Sequence, residues 1–331
     1  MKRIGGMFAN LPTPFSRDGS RIDFAVVRER IEWLVEAGIH GFSTQLSAGE
    51  FAYLGLDERR SLTQVVVEAV NGRAPVLVGI SGNSLAESTE LARHAGELGA
   101  AAAMLMPRSY FKLTEDEVLA YYESVGDQAG CPLGIYNNPA TTGVDISADL
   151  YARIQGVCNV VVTKDDAGDV FRVSEVRARC PRTMAYLCGT EYQSLPALVL
   201  GADGCCNAIN SVVPEQVVAI YDAVQAGNLE AARERFQKLQ PLYTFIRAHG
   251  VARTTKAAAE LLGVSFGPHR PPLHALSEAA AAKLAQALRE AGVPAAAARA
   301  QPPRRTPACG RARRRSGRLN KMTLPLTAIR S

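Results

Sequence analysis

Eight short apolar runs, each followed by a stretch with helical spacing, constrain this chain more than any other feature. The runs fall at residues 7–11, 39–45, 75–79, 101–106, 132–136, 159–165, 184–188 and 204–208. Short runs that are apolar on both faces read as strands buried on both sides, and strands separated by helices call for parallel pairing. The first helical pattern is capped by Asp23, places Phe24, Val27, Ile31, Leu34 and Val35 at helical spacing, and has Gly38 beyond its end. Further helical patterns lie at 57–70, 84–98, 114–129, 147–154, 170–179, 191–200 and 214–226, with Thr114 and Glu117 forming a capping box. Eight strands alternating with eight helices within roughly 220 residues is the count of a (β/α)8 TIM barrel, an α/β fold. A doubly wound open sheet is the alternative, and the lack of G-x-G-x-x-G after the first strand speaks against it.

Three more helical patterns, at 229–248, 252–262 and 276–291, extend the chain beyond the barrel. The expected organisation is a catalytic barrel over 1–226, a small helical appendage over 227–292, and a tail over 293–331. The tail explains the net charge of +5: its ten basic residues and no acidic one leave the rest of the chain at −5. Rich in Pro, Ala and Arg and without period, it reads as disordered. It lacks aromatics for base stacking, so nucleic acid is not an expected partner. With 47% hydrophobic residues and no run of membrane-spanning length, the chain is expected to be a cytoplasmic globular protein, without a signal peptide or membrane contact. Seven cysteines without C-x-x-C spacing and five histidines without H-x-H or H-E-x-x-H spacing give no reason to expect disulfides or a metal.

The sixth run delivers one lysine, Lys164, just as the strand gives way to Asp165, Asp166 and Gly168. A lysine there is an anchor or a nucleophile. As a nucleophile it must shed its proton, and at a pKa near 10.4 only about one molecule in a few thousand is neutral at pH 7. Lowering that pKa by about three units costs on the order of 4 kcal/mol, which burial can supply. As an anchor it would pair with Asp165 or Asp166.

Barrels carry their chemistry where strands end. Those ends offer Ser47-Ala48-Gly49-Glu50 after the second strand, Tyr110 after the fourth, and Tyr136 to Thr141 and Gly143 after the fifth. Gly189-Thr190-Glu191 follows the seventh, and Cys206 lies on the eighth. A lysine and a tyrosine on neighbouring strands, with a hydroxyl nearby, suit Schiff-base chemistry, in which an iminium acts as an electron sink. Tyr136 would move protons. Ser47 and the amides around Ala48 and Gly49 would hold a substrate carboxylate.

The arrangement resembles the dihydrodipicolinate synthase and N-acetylneuraminate lyase family of pyruvate-type class I aldolases, over residues 6–292. The resemblance rests on Tyr136-Asn137-x-Pro139 with Thr142-Gly143, on Lys164 with the segment from Asp165 through Asp169, on Ser47-Ala48-Gly49-Glu50, and on Tyr110. It implies a Schiff-base lysine at Lys164, a proton-relaying tyrosine at Tyr136, and a hydroxyl relay through Ser47 and a Tyr110 that reaches into a neighbouring subunit. It also implies a homotetramer built as a dimer of dimers, a small 2-oxo acid substrate, and no metal or organic cofactor. Thr141, Gly189, Glu191 and Cys206 are expected to line the substrate site.

The departures bear on the second substrate. Thr141 stands where the lysine-biosynthetic synthases carry an arginine, and a threonine cannot replace a bidentate guanidinium. Leu46 and Ala48 replace a glycine and a hydroxyl residue, and Asp165 replaces glutamate. The expectation is therefore an aldolase or dehydratase acting on pyruvate or a related 2-oxo acid. The alternatives are 4-hydroxy-tetrahydrodipicolinate synthase and a barrel that binds ligand without catalysis. Glu191 and Thr190 occupy the loop where sugar-acid lyases of the family bind distal hydroxyls; otherwise Thr190 caps a helix and Glu191 favours its dipole.

Overall fold

The computed structural model describes residues 4–180 and 184–293. Its strands are β1 (Gly6–Asn10), β2 (Gly41–Thr44), β3 (Val76–Gly79), β4 (Ala102–Leu105), β5 (Leu133–Asn137), β6 (Val160–Asp165), β7 (Ala185–Cys188) and β8 (Gly204–Asn207). Each pairs in parallel with its neighbours, and β8 returns to β1, closing the barrel. The helices are α1 (Phe24–Glu36), α2 (Leu56–Val70), α3 (Leu85–Glu97), α4 (Glu115–Gly126), α5 (Pro139–Thr142), α6 (Ala148–Val157) and α7 (Arg172–Arg179). Beyond them lie α8 (Ser194–Val199), α9 (Pro214–Gln225), α10 (Leu229–Lys238), α11 (Gln240–His249), α12 (Val251–Leu261) and α13 (Glu278–Glu290). No described helix is long and apolar enough to cross a membrane.

The alternation of side chains along each strand divides the core in two. Phe8, Leu77, Met104, Val162 and Leu187 pack with one another inside the barrel. The opposite faces pack against the helix ring, as Ala9, Val78, Leu105 and Ile135 do with Ile31, Val66, Ala92 and Val125. On β6 this phase puts Lys164 on the lumenal side, above Val162. Thr163 and Asp165 face outward, where both hydrogen-bond the Tyr151 hydroxyl on α6. The caps at Asp23 and Thr114 form as their sequences require.

The structure differs from the sequence reading in a few places. The single helix expected over 229–248 is two, broken at Leu239, because Pro241 supplies no amide and fits only the first turn of α11. Residues 139–142 form an extra helical turn, α5, directly after β5. The helix expected from 191 begins as a 3-10 turn, Glu191–Gln193, before α8. Val293 is buried against the core, and the remainder of the expected tail lies outside the described residues, as does Cys309.

Candidate active site

Lys164 and Tyr136 are register partners across β5 and β6, so both side chains rise from the same level of the lumen. Lys164 is 2% exposed, and its Nζ lies 4.3 Å from the centroid of the Tyr136 ring. The Tyr136 hydroxyl is 2.9 Å from Ser47 Oγ and accepts a hydrogen bond of 3.0 Å from Asn138 Nδ2. Burial pushes that hydroxyl up to about 12, so it stays a phenol that can both accept and donate. Three residues taken from separate strand ends in the sequence thus form one group.

Ser47 opens a 3-10 turn, Ser47–Gly49, held from both sides by residues with positive φ. Gln45, at φ 59, sends its side chain to the Arg59 carbonyl and Thr63 and accepts from the Arg59 guanidinium. Glu50, at φ 54, is locked to Lys256 and His269. Non-glycine residues hold such a conformation only where their surroundings fix it. The turn does not leave every amide free for an anion, as the sequence suggested. Gly49 N donates to the Leu46 carbonyl at 2.9 Å, and Gly49 O accepts from Thr13 Oγ1 at 2.6 Å.

The two aspartates after the lysine divide their work. Asp165 turns outward, accepting from Tyr151 Oη at 2.8 Å and from the Ala167 amide at 2.8 Å. Asp166, two residues from Lys164, returns to the lumen and forms an ion pair with Nζ. Burial opposes a charge on Lys164, but the Asp166 carboxylate outweighs it and raises the pKa. Burial therefore does not supply the neutral amine that the sequence argument assigned to it. Asp166 is the residue that sequence reasoning underused. The signal was its spacing, since two residues along a strand return to the same face.

Other expected site residues fall around this group. Gly189 follows β7, and a Cβ there would come within 1.6 Å of Asp166 Oδ1, so only glycine leaves room for the carboxylate. Glu191 is buried, and burial, reinforced by Asp166, pushes it up to about 7. It is not a surface carboxylate serving a helix dipole, and Thr190 makes no capping bond but donates to Gln193 Oε1 at 3.2 Å. Cys206 is fully buried with its Sγ 3.1 Å from Ser43 Oγ, and burial pushes it up to about 11, which keeps it a thiol. Thr141 donates to the Asn138 carbonyl at 3.1 Å and, with Ser47, Met106 and Arg108, lines an open cavity of about 280 Å³. Tyr110 is different: it is 95% exposed, edge-on to Phe111, and within one chain it is not brought to Ser47 or Tyr136. Among the described residues no cluster of His, Cys, Asp and Glu is arranged to hold a metal ion.

A closed (β/α)8 barrel whose mouth gathers a lysine, a tyrosine and a serine defines the architecture of a class I lyase. The chain belongs to the dihydrodipicolinate synthetase family, whose model matches residues 3–291. A 4-hydroxy-tetrahydrodipicolinate synthase from Geobacter is 34% identical over 86% of this chain and 98% of its own. The Methanopyrus kandleri protein of the same name is 31% identical over 88% of this chain and 97% of its own. Among solved structures, dihydrodipicolinate synthase from Aquifex aeolicus superposes with a TM-score of 0.83 at 28% identity, covering 88% of this chain and 99% of that one. A prophage protein of the same family from E. coli K12, solved in complex with pyruvate, gives a TM-score of 0.83 at 27% identity, with 88% and 99% covered.

Proposed function

We propose that the protein is a Schiff-base-forming lyase that acts on pyruvate or a related 2-oxo acid, with Lys164 as nucleophile. The observation that supports this most is the continuous group of Lys164, Tyr136 and Ser47 at the barrel mouth. The lysine amine adds to the ketone carbon, and the carbonyl oxygen takes a proton through the Tyr136 hydroxyl. Ser47 and Asn138 keep that hydroxyl oriented, and the Ser47 hydroxyl relays the proton that replaces its own. Loss of water leaves an iminium, and electrons from a breaking bond next to it flow into the C=N system as an enamine. Borohydride with pyruvate is expected to add the mass of a reduced pyruvyl group to Lys164, and the absence of an adduct would remove the reading. A barrel that binds without catalysis would give that negative result.

The rest of the substrate would reach the cavity shared by Ser47, Thr141, Met106 and Arg108. Its cationic wall is Arg108, whose guanidinium stands over the Phe51 ring at 5.5 Å, so a polar acceptor with an anionic end fits it. Glu191, buried close enough to Asp166 and Lys164 to feel their charges, would offer a carboxyl to hydroxyls of a 2-oxo-3-deoxy acid. A second reading, 4-hydroxy-tetrahydrodipicolinate synthase itself, is favoured by the names of the relatives at 31% and 34% identity. Thr141 weighs against it. Pyruvate release from a panel of 2-oxo-3-deoxy sugar acids, run beside condensation of pyruvate with aspartate semialdehyde, separates the two.

Tyr110 and Phe111 stand side by side at 95% and 75% exposure. Two aromatic rings left in water favour burial against a second copy, and a homotetramer in which Tyr110 meets a neighbour's site accounts for them. The unpaired described cysteines suit a reducing cytoplasm.

A further inference from the structure

We propose that Asp166 is a catalytic residue of this site, the group that takes the proton from Lys164 and returns it to the departing hydroxyl when the iminium forms. The proposal rests on the Schiff-base reading and supplies a step that reading lacks.

The step is needed because the lysine is ionised and paired. An ammonium has no lone pair with which to attack a ketone, and the site holds the charge on Lys164 rather than expelling it. Only a base in direct hydrogen-bond reach can free the amine. Asp166 Oδ2 is that base by position, since it pairs with Nζ itself.

The remainder of the Asp166 carboxylate is arranged for exchange rather than for anchoring. Its Oδ1 is buried and has no hydrogen-bond partner among the described residues. It rests against the bare α-carbon of Gly189, where a Cβ would come within 1.6 Å. Asn138 Nδ2 reaches Asp166 Oδ2 at 3.5 Å and the Tyr136 hydroxyl at 3.0 Å, so one amide orients both proton-carrying groups. Two backbone bonds of 2.8 Å fix the segment, from Asp166 N to Asn137 O and from Gly189 N to Asp165 O. The neighbouring Asp165 is fully engaged outside the barrel, so it cannot substitute.

The protons balance. Lysine ammonium and Asp166 carboxylate become free amine and carboxylic acid. The nitrogen lone pair forms the C–N bond, the carbonyl π electrons move to oxygen, and one N–H proton passes to that oxygen through Tyr136, giving a carbinolamine. The Asp166 acid then protonates the carbinolamine hydroxyl, the C–O bond breaks, and water leaves. The iminium remains beside the regenerated carboxylate, which stabilises its positive charge.

The titratable groups facing Asp166 are Lys164 on β6, Tyr136 from β5, Glu191 after β7, Cys206 on β8 and, more distantly, Tyr186. Replacing Asp166 by asparagine keeps the shape but leaves burial unopposed on Lys164, which then favours the neutral amine. The two roles available to Asp166 therefore predict opposite results. If it only holds the lysine charged, Asp166→Asn traps pyruvate at pH 7 as fast as the unaltered enzyme or faster. If it carries the proton, the variant has a free amine but no acid for the hydroxyl, and borohydride trapping at saturating pyruvate slows by about 10²–10⁴-fold.

The experiment follows adduct formation by intact mass from pH 5.5 to pH 9.5, with thermal unfolding to verify that each variant is folded. Formate added to Asp166→Ala is expected to restore trapping in proportion to its concentration, and Asp166→Glu to recover part of the rate. Undiminished trapping in folded Asp166→Asn overturns the proposal alone. No adduct in the unaltered enzyme overturns it together with the Schiff-base reading.

Discussion

Two buried lysines of this protein each face a carboxylate, and they serve opposite ends. Lys256 on α12 bonds Glu50 Oε1 at 2.7 Å and the Pro268 carbonyl at 2.7 Å, beneath the Phe15 ring. Glu50 also meets His269 Nδ1 at 2.9 Å and the Arg270 amide at 3.1 Å. That pair is saturated and ties the Ser47 turn to the helices beyond the barrel. Among the described residues Lys164 has one carboxylate partner, and that partner keeps an oxygen without a bond. Burial and pairing are common to both, so neither marks a nucleophile. What differs is the hydrogen-bond capacity left over, together with the strand end on which Lys164 stands. The pKa directions differ as well. Burial outweighs Glu50 and lowers Lys256 to about 8, while Asp166 outweighs burial at Lys164.

The contrast breaks if the two lysines can exchange roles. Lys164→Arg is expected to abolish pyruvate trapping entirely while the protein remains folded, because a guanidinium cannot form an imine at neutral pH. Lys256→Met should do the reverse. Removing the ammonium from buried Glu50, which keeps only His269 and the Arg270 amide, costs about 3–5 kcal/mol of stability, read by urea unfolding, and the folded fraction still traps pyruvate. A stable Lys256→Met or a reactive Lys164→Arg would show that the strut and the nucleophile have been misassigned. Tyr136→Phe removes only the hydroxyl between Ser47 and Asn138, and turnover should fall by roughly 10²–10⁴-fold. An unchanged rate takes Tyr136 out of the proton route.

Glu191 sharpens the comparison, because it is a buried carboxyl with no cation bonded to it in the described structure. Its ordinary value of 4.5 is raised to about 7, so between those values the native state holds a proton that the unfolded chain has lost. Stability attributable to this group is present below about pH 4.5 and is lost as pH rises through 7, by on the order of 3 kcal/mol. Glu191→Gln is permanently neutral. It should match the unaltered protein near pH 4.5 and exceed it by up to ~3 kcal/mol at pH 8.5 in urea unfolding. Equal stability at both pH values would place Glu191 in water rather than in the lumen.

Local periodicity made the barrel legible. Every strand was visible as a run of buried residues, and Asp23, Thr114 and the glycines after helices set the punctuation. The break at Leu239 went unread because a helical pattern continues across it, and only the missing amide of Pro241 decides the matter. At the site, Lys164, Tyr136 and Ser47 were legible as strand ends, and the structure brings them together. The sign of the lysine's pKa was not legible, because it depends on whether burial or Asp166 wins, and that is fixed by distances across the lumen. The burial of Glu191 was hidden for the same reason: the sequence allows a helix-cap reading that geometry alone rejects.

The smallest effect concerns the cavity outside the reacting group. Thr141 cannot grip a carboxylate as an arginine would, but Arg108 enters the same cavity from the loop after β4. Its guanidinium has no carboxylate within ion-pair distance among the described residues, and its cation faces the Phe51 ring. An incoming carboxylate would therefore meet a cation that no existing bond must release. A partly exposed charge-assisted contact contributes about 1–2 kcal/mol, roughly a tenfold effect. With pyruvate fixed at saturation, Arg108→Gln should raise KM for an anionic acceptor such as glyoxylate about tenfold, leave KM for the neutral glycolaldehyde unchanged, and leave pyruvate trapping intact. An equal change for both aldehydes would assign Arg108 to the shape of the mouth. No change for either would remove Arg108 from recognition of the second substrate.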